Sequence, residues 1–172
     1  APIIAELCKN RDILTIAVVT KPFTFEGSKR KEIAESGYEN LKDKVDAIIS
    51  IQNDRILQII DKKTSLIEAF STVDEVLRQG IAGISDLITT HGVVNADFAD
   101  IRTIMQDAGT AMMGIGKASG ENRAELAAKA AVNSPLLDMT IDGAQGVLFN
   151  ITGGPDLGMF EIDEAAKVIT KN

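Results

Sequence analysis

The sequence predicts an α/β protein in which two α/β halves are joined by one long helix. Residues 13–20 (ILTIAVVT) and 45–51 (VDAIISI) are short apolar runs rich in β-branched residues, which are typical of strands buried on both faces of a parallel sheet. A helical pattern follows each run, and this alternation implies right-handed parallel crossovers in a Rossmann-like sheet. The long helix is predicted over residues 66–88, where apolar residues recur at spacings of three or four.

The remaining elements of the first half are helices and a loop. Residues 3–10 carry an apolar stripe that suits the end of a helix. The loop KPFTFEG follows the first strand and leads into a polar, charge-rich helix predicted over residues 28–43. Asn53 follows the second strand and is a good N-cap for a short helix over residues 54–60.

The long helix is predicted to bury a continuous apolar stripe, because its apolar residues fall on one helical face. The stripe consists of Phe70, Val73, Leu77, Ile81, Ile84 and Ile88. After this helix the composition changes, and a second set of elements begins. The predicted elements there are helices at 98–105, 121–132 and 160–172 and strands at 110–119 and 146–152.

Composition excludes several classes of function. The chain has 172 residues, a formal net charge of −7 and a pI near 4.8, so we expect no binding to nucleic acid. No apolar run approaches the roughly 18 residues of a membrane span, so we expect no membrane insertion. Cys8 is the single cysteine, which excludes an intrachain disulfide and fits a reducing compartment. His91 has no sequence partner that would suggest a metal site, and we expect none.

The loop after the first strand is the first candidate site, because ligands of open α/β sheets bind beyond the carboxyl ends of the strands. It runs from Thr20 through Glu26 towards Arg30. Glu26 and Arg30 are also four residues apart, so a plain i, i+4 ion pair is the alternative interpretation.

A second candidate group lies after the second strand and at the start of the long helix. Phe70 could stack on a base. Asp74, one helical turn later, could accept hydrogen bonds from adjacent N–H groups, a pattern that guanine offers and adenine does not. The alternatives are a core phenylalanine with a solvated aspartate and, for Asn53, a simple N-cap.

The third candidate group is the segment NADFAD, residues 95–100, at a predicted helix start. Its two carboxylates, Asp97 and Asp100, could position and polarise a water or bind a cation. The alternative is an N-cap with an acid in the first turn, which the helix dipole favours.

Six segments carry a family resemblance when they are taken together and in order. They are TKPFTFEGSKR, QNDRIL, EAFSTVDEVLRQGIAGISDLIT, VNADFADIRTIM, GENRAELAAKAAVNSPLL and GAQGVLFNITGG. Over essentially the whole chain they resemble the FtsZ family, the bacterial tubulin-like cell-division GTPases. The resemblance implies a tubulin/FtsZ-like fold, with a partial Rossmann-like GTPase domain joined by a long central helix to a partial α+β second domain. The implied boundaries are 1–64 for the GTP-binding domain, 65–90 for the central helix and 91–172 for the second domain.

The resemblance implies a role for each candidate residue. The family positions that contact the ribose and phosphates of the nucleotide are matched by Thr20, Glu26 and Arg30. The positions that contact guanine, with the aspartate as the main base reader, are matched by Asn53, Phe70 and Asp74. The loop that one subunit inserts into its neighbour's nucleotide site, where two aspartates polarise the attacking water, is matched by Asn95, Asp97 and Asp100.

The implied function is that of a GTPase that binds GTP or GDP, with Mg²⁺ accompanying GTP, and polymerises head to tail into the division ring. The implied partners are further copies of the same protein and, through a C-terminal tail, other division proteins; the implied location is the cytoplasm at mid-cell. An alternative is a division-associated structural module of the same family that does not hydrolyse GTP, against which Asp97 and Asp100 argue. A Rossmann-type oxidoreductase is disfavoured because no GxGxxG follows a strand.

The sequence also departs from the family pattern. The glycine-rich phosphate loop, GGGTGTG, does not occur in it. That loop supplies the backbone N–H groups that cradle the phosphates, so the chain is predicted to be a fragment that begins directly after it and lacks the C-terminal tail. The intact parent is predicted to be a GTPase, whereas the chain alone is predicted neither to bind GTP tightly nor to hydrolyse it.

Overall fold

The structure, a computed structural model, describes residues 1–57, 60–61, 63–89, 97–134 and 144–170. The chain divides into two compact units, Ala1–Met112 and Met113–Asn172. The domain boundaries implied by the family resemblance stay a prediction. No helix in the described ranges combines the length and the apolarity that crossing a bilayer requires.

The sheet of the first unit has, within the described residues, three parallel strands. They are β1 (Ile16–Lys21), β2 (Ala47–Gln52) and β3 (Gly109–Ala111), in the order β1-β2-β3. Ala47 lies opposite Ile16 on one side and opposite Gly109 on the other. The predicted parallel α/β arrangement is confirmed. The central position of β2 explains why it is the most buried of the strands.

Helices flank this sheet along the described part of the first unit. They are α1 (Pro2–Lys9), α2 (Ser28–Lys42), α3 (Asn53–Ile56), α4 (Leu66–Thr89) and α5 (Phe98–Met105), with a 3₁₀ turn at Thr24–Glu26. The helix α2 contacts β1, and α4 contacts both β1 and α3. These contacts bring the start of the long helix close to the loops that follow the first two strands.

The apolar core of the first unit is centred on β2. Ile48 is fully buried and belongs to a cluster with Ala5, Leu41 and Val45, which come from α1, from α2 and from the segment before β2. The largest side chains that are fully buried are Phe23, Ile48, Ile56 and Ile101. Burying a side chain of this size contributes about 1.5–3 kcal/mol.

The long helix α4 has the predicted extent, but it buries a different face. Its buried positions are Ala69, Val73, Val76 and Gly80. Ile81 and Ile88 are exposed by 53% and 46%. The predicted continuous buried stripe is therefore wrong: of its residues only Val73 is buried, and Phe70, in the first half of the helix, is 39% exposed. Burial requires a neighbouring element, which the apolar period of one helix does not supply.

The second unit is built on two helices, α6 (Arg123–Val132) and α7 (Met159–Thr170), which pack on each other. Their buried contact is made by the small side chains of Ala124, Ala128 and Ala165. Ile151, Val168 and Ile169 pack against this cluster and are partly buried. Small residues allow two helices to approach closely, so this unit gains contact area from backbone proximity rather than from large side chains.

The predictions of two strands in the second half are wrong: the first strand is much shorter than predicted, and the second does not form. Of residues 110–119 only the start is a strand, and it belongs to β3 of the first unit. Residues 146–152 are described and form no strand. An apolar run becomes a strand only where a neighbouring strand supplies ladder hydrogen bonds, and beyond Ala111 no described strand pairs with either segment.

Candidate functional site

The carboxyl ends of β1 and β2 lie side by side, which defines one edge of the sheet as a candidate ligand site. Thr20 is paired with Ile51, and Lys21 is paired with Gln52. The loop after β1 and the helix α3 after β2 therefore start from the same edge. Open α/β sheets bind ligands at this carboxyl edge.

Three aromatic rings join the loop after β1 to the start of α4. Phe23 is 1% exposed, and its ring stacks on that of Phe25 at 4.9 Å between centroids. Phe70 meets the ring of Phe23 edge-on, with 5.5 Å between centroids and 83° between planes. Edge-to-face pairs of this kind are favourable beyond the area that they bury. Phe70 keeps 39% exposure, so part of its ring stays accessible next to the loop.

A pair of hydrogen bonds ties the same loop to α3. The backbone N–H of Thr24 donates to Oδ1 of Asp54 at 2.9 Å, and the Thr24 hydroxyl donates to Oδ2. These bonds, the hydroxyl one foremost, hold the pKa of Asp54 below its usual range. Sequence reasoning missed this pair. The available signal was a threonine and an aspartate placed just after two adjacent parallel strands.

Glu26 connects the loop to α2. Its Oε1 accepts the backbone N–H of Phe23 at 2.9 Å, and its Oε2 lies 3.0 Å from Nη1 of Arg30. The side chain of Glu26 is 11% exposed, whereas that of Arg30 is 71% exposed. The i, i+4 ion pair considered from the sequence is therefore present, and it holds an exposed guanidinium beside the loop. An ion pair and a ligand contact by the same residues are compatible.

Asn53 is the first residue of α3 and is 6% exposed. Its Oδ1 is buried and has no hydrogen-bond partner among the described residues. The interpretation of Asn53 as an N-cap is wrong, because a capping oxygen would accept an N–H of the first helical turn. A buried acceptor without a partner costs about 1–3 kcal/mol. The side chain therefore has one buried acceptor whose hydrogen-bonding capacity the described residues do not use.

Asp74 is exposed and lies one turn after Phe70 on α4. Residues four apart are neighbours on a helical surface, so the carboxylate and the partly exposed ring share one side of the helix. The structure thus brings Phe70, the loop after β1 and α3 together, with Asp74 on the adjoining turn.

The two aspartates of the third candidate group begin α5. Asp97 is the N-cap, and its backbone N–H donates to Oδ2 of Asp100 at 3.3 Å. Both residues are exposed. Asn95 lies outside the described residues. The N-cap interpretation is confirmed for Asp97, and it leaves the exposed carboxylates accessible.

The helix α5 contacts the opposite edge of the sheet. In its last turn, Arg102 pairs with Asp12, which lies ahead of β1 in the chain, on the amino side of that strand. The last turn of α5 is thus anchored at the amino side of the sheet, whereas the loop after β1 and the helix α3 start from the carboxyl edge.

No group of three or more histidine, cysteine, aspartate or glutamate side chains among the described residues is arranged to hold a metal ion. The side chains that are described therefore do not form a dedicated protein cage for Mg²⁺. Mg²⁺ at nucleotide sites is usually held by one or two carboxylates together with phosphates and water.

Comparison with known proteins agrees with this architecture. The model of the Tubulin/FtsZ family GTPase domain matches residues 1–61, and that of the FtsZ family C-terminal domain matches residues 109–172. A solved structure described as an empty FtsZ dimer from M. jannaschii is 41% identical over 98% of this chain, with a TM-score of 0.92. A point mutant of FtsZ from the same organism matches with the same identity, coverage of this chain and TM-score.

The fold and the family matches define a protein of the tubulin/FtsZ class, whose first matched domain is a GTPase domain. Within that class, the chain belongs to the FtsZ family. It covers 49% and 51% of the two M. jannaschii chains, so it spans about half their length. The predicted tubulin/FtsZ-like fold is confirmed.

Proposed function

We propose that this chain is part of a protein that binds and hydrolyses GTP and polymerises head to tail as a cytoskeletal component of the division ring. One observation carries the proposal: the side chains that suit a nucleotide gather at the carboxyl edge of the sheet, whereas the helix that begins with the two aspartates is anchored through Arg102 at the amino side. The set at the carboxyl edge suits a nucleotide. The carboxylates at the start of α5 suit the activation of water.

The guanine base is assigned to Asn53, Phe70 and Asp74. The unpartnered Oδ1 of Asn53 offers an acceptor, and the accessible part of the Phe70 ring offers a stacking surface. The exposed carboxylate of Asp74 accepts from the two adjacent N–H groups of guanine, which adenine lacks. The preference for GTP over ATP therefore rests mainly on Asp74.

The ribose and phosphate side is assigned to Thr20, Glu26 and Arg30. The exposed guanidinium of Arg30 supplies positive charge beside the loop. An ionised carboxylate has about four lone-pair positions, so Glu26 keeps capacity for a ribose hydroxyl while it holds the loop. Mg²⁺ accompanies GTP through the phosphates, and no step depends on a metal held by this chain alone.

The catalytic loop, with Asn95, Asp97 and Asp100, is assigned to the nucleotide site of the next subunit. A contact between opposite ends of identical subunits is heterologous and extends into a filament when its geometry does not close. Asp97 and Asp100 orient and polarise the water that attacks the γ-phosphate, which agrees with the dominance of positioning and electrostatics in phosphoryl transfer. The similar solved structure, an FtsZ dimer from M. jannaschii, supports self-association.

The wider setting is also part of the proposal. It comprises assembly in the cytoplasm at mid-cell and binding of other division proteins. The alternative, a structural module that co-assembles without hydrolysis, is disfavoured by the retained pair of exposed carboxylates at the start of α5.

The test uses the full-length product of the gene that encodes this chain. Asp97→Ala should leave the affinity for GTP within about twofold and lower phosphate release in polymer by about 10²–10⁴-fold, the range of a positioned acid–base group. Asp74→Ala should weaken GTP binding by about 10–100-fold and leave ATP binding unchanged, because it removes charge-assisted hydrogen bonds to guanine only.

Asp86→Ala is the matched control, since Asp86 is a second exposed aspartate of α4, three turns beyond Asp74. It should change neither binding nor hydrolysis. Unchanged hydrolysis by Asp97→Ala would overturn the catalytic assignment, and equal losses for GTP and ATP would overturn the role of Asp74. Phosphate release by the isolated 172-residue chain would contradict the prediction that it is inactive alone.

A further inference from the structure

The last turn of α5 is joined to the amino side of the sheet by one charged side chain. Nη2 of Arg102 lies 2.5 Å from Oδ1 of Asp12 and also donates to the backbone oxygen of Asp12 at 3.4 Å. Its Nε donates to Oε1 of Gln106 at 3.2 Å, within the same helix end. The guanidinium therefore connects α5 to the turn before β1, and Arg102 and Asp12 are 90 positions apart in the sequence.

The acceptor at the other end of this contact is held in place by its own turn. The backbone N–H of Asp12 donates to the oxygen of Lys9 at 3.1 Å, and that of Ile13 donates to the oxygen of Cys8 at 3.1 Å. Asp12 has a φ of 55°, in the left-handed region that aspartate and asparagine tolerate better than most residues. The turn thus presents the carboxylate from a defined backbone position.

Apolar packing does not fill the space beside this contact. A cavity of about 190 Å³ lies there, lined mainly by polar side chains that include Asp12, Asp46 and Arg102. Of the other acids and bases that line it, Asp46 and Lys9 have partners of their own, and Asp107 lies just beyond the end of α5. Asp46 accepts the N–H of Thr15 at 2.7 Å, and Lys9 donates to the oxygen of Asp43 at 3.3 Å.

A second point fixes α5, because Ile101 is fully buried. Together with the half-buried Ile104 and Met105, this side chain holds the helix on the unit. The neighbouring Arg102 adds a charged contact to the turn before β1, and this contact further restrains the orientation of α5. The carboxylates of Asp97 and Asp100 at the other end of the helix follow that orientation.

We propose that Arg102 and Asp12 are positioning residues for hydrolysis: their ion pair orients α5 so that Asp97 and Asp100 reach the γ-phosphate of the neighbouring subunit. This inference rests on the proposed function of the catalytic loop. It assigns to neither residue any contact with nucleotide. Their effect passes through the orientation of α5 alone.

The expected size of the effect follows from exposure. The side chains of Arg102 and Asp12 are 32% and 79% exposed, so the pair is partly solvated and screened by salt. Loss of such a pair changes a conformational equilibrium by about two- to fivefold. The pair therefore tunes the occupancy of the productive orientation, and its removal leaves hydrolysis measurable.

The test compares Arg102→Ala, Arg102→Lys and Asp12→Asn in the full-length gene product. Asparagine keeps the tolerance for a left-handed φ and removes only the charge. Lys44→Ala is the matched control, because it removes another long-range ion pair of the first unit, with Glu6 at 2.7 Å. Three quantities are measured: the Kd for GDP, the phosphate release per assembled subunit, and the amide exchange of residues 98–105.

Arg102→Ala and Asp12→Asn should each lower phosphate release about two- to fivefold and raise amide exchange in residues 98–105 by a similar factor, with the Kd for GDP unchanged. Arg102→Lys should recover at least half of the loss. Raising the salt to about 1 M should bring amide exchange of the unmodified protein close to that of Asp12→Asn, because the pair is screened. Lys44→Ala should change none of the three quantities.

Two outcomes would overturn the inference: unchanged phosphate release in Arg102→Ala and Asp12→Asn, or a changed Kd for GDP that accounts for the whole loss. Asp97→Ala, measured in parallel, separates this failure from failure of the proposed function. If Asp97→Ala abolishes hydrolysis and the Arg102 variants do not lower it, only the positioning role is wrong. If Asp97→Ala has no effect either, the catalytic assignment itself is wrong.

Discussion

Different kinds of interaction stabilise the interior of each of the two units. In the first unit, large apolar side chains are buried around a parallel sheet, and the side chains that are both largest and fully buried, such as Ile48 and Phe23, all lie there. In the second unit, the buried contact between α6 and α7 is made by alanines. The second unit adds a charged cluster, in which Arg123 binds both Asp156 and Glu161.

This difference indicates which substitutions and which solution conditions should lower the stability of each unit. A core of large side chains loses stability when a side chain is shortened, because a cavity forms. A contact between small residues and backbone loses stability when a side chain is added, because there is no room for it. A partly exposed ion-pair cluster responds to pH and salt more than to volume.

Ile48→Ala should have the largest effect, because Ile48 is fully buried on the central strand. The expected loss in the free energy of unfolding is about 2–5 kcal/mol. Chemical denaturation with amide exchange as the readout would assign that loss to residues 16–52. The control is Ile33→Ala on the exposed face of α2, where Ile33 is 62% exposed and the change should stay within about 0.5 kcal/mol. Equal losses would break the comparison.

Gly116→Ala should come next, and its effect should concentrate in the second unit. A Cβ at Gly116 would overlap the backbone oxygen of Ala127 on α6, and one at Gly114 would overlap that of Ala131. Overpacking against backbone costs about 1–3 kcal/mol. Amide exchange of residues 123–132 would report it.

Gly37→Ala is the matched control for that substitution. Gly37 lies within α2, and a Cβ there would have no atom within 4 Å. Alanine is the better helix former by about 1 kcal/mol, so this change should stabilise the first unit. Destabilisation by Gly37→Ala, or tolerance of Gly116→Ala, would refute the contrast between the two units.

The acid response of the second unit should be the smallest effect of the three. Hydrogen bonds from Arg123, and secondarily from the backbone of Gly158, lower the pKa of Glu161 from 4.5 to about 2. A carboxyl group with a lowered pKa in the folded state contributes stability above its unfolded pKa and loses it as pH falls. The loss should therefore extend from about pH 4.5 down to about pH 2.

Glu161→Gln should remove that pH dependence and should be less stable than the unmodified chain near neutral pH. The measurement is amide exchange of α7 between pH 5 and pH 2.5. Glu125→Gln is the control, since Glu125 makes an exposed i, i+4 pair with Lys129 on α6. An acid transition of α7 that is the same in Glu161→Gln would show that the carboxylate of Glu161 contributes nothing to it.

Much of the first unit could be predicted from the sequence because its signals are local. The β-branched runs predicted β1 and β2, and the parallel pairing followed from strand–helix alternation. Helix α2 ends within one residue of its prediction. Local signals were not enough to decide whether residues 146–152 form a strand, because a strand exists only when another segment pairs with it. The predicted burial of the apolar stripe of α4 was wrong for a similar reason, because burial also depends on which other segments pack against the helix.

The candidate site was predicted unevenly. The sequence identified Phe70 and Asn53. In the structure, Phe70 contacts the loop after β1, and Asn53 lies at the same sheet edge, directly after β2. The sequence did not identify the bonds from Thr24 to Asp54, because these residues are 30 positions apart and the pairing depends on the register of two strands. The roles of the individual residues towards a nucleotide stay predictions.

The buried Oδ1 of Asn53 has an evolutionary consequence. An apolar residue of similar shape at this position would leave no acceptor unpaired and would make the ligand-free protein more stable. Selection for stability alone would favour that replacement. Under the proposed function, Asn53 exchanges folding stability for binding, because a donor group of the nucleotide would meet an acceptor that is already desolvated.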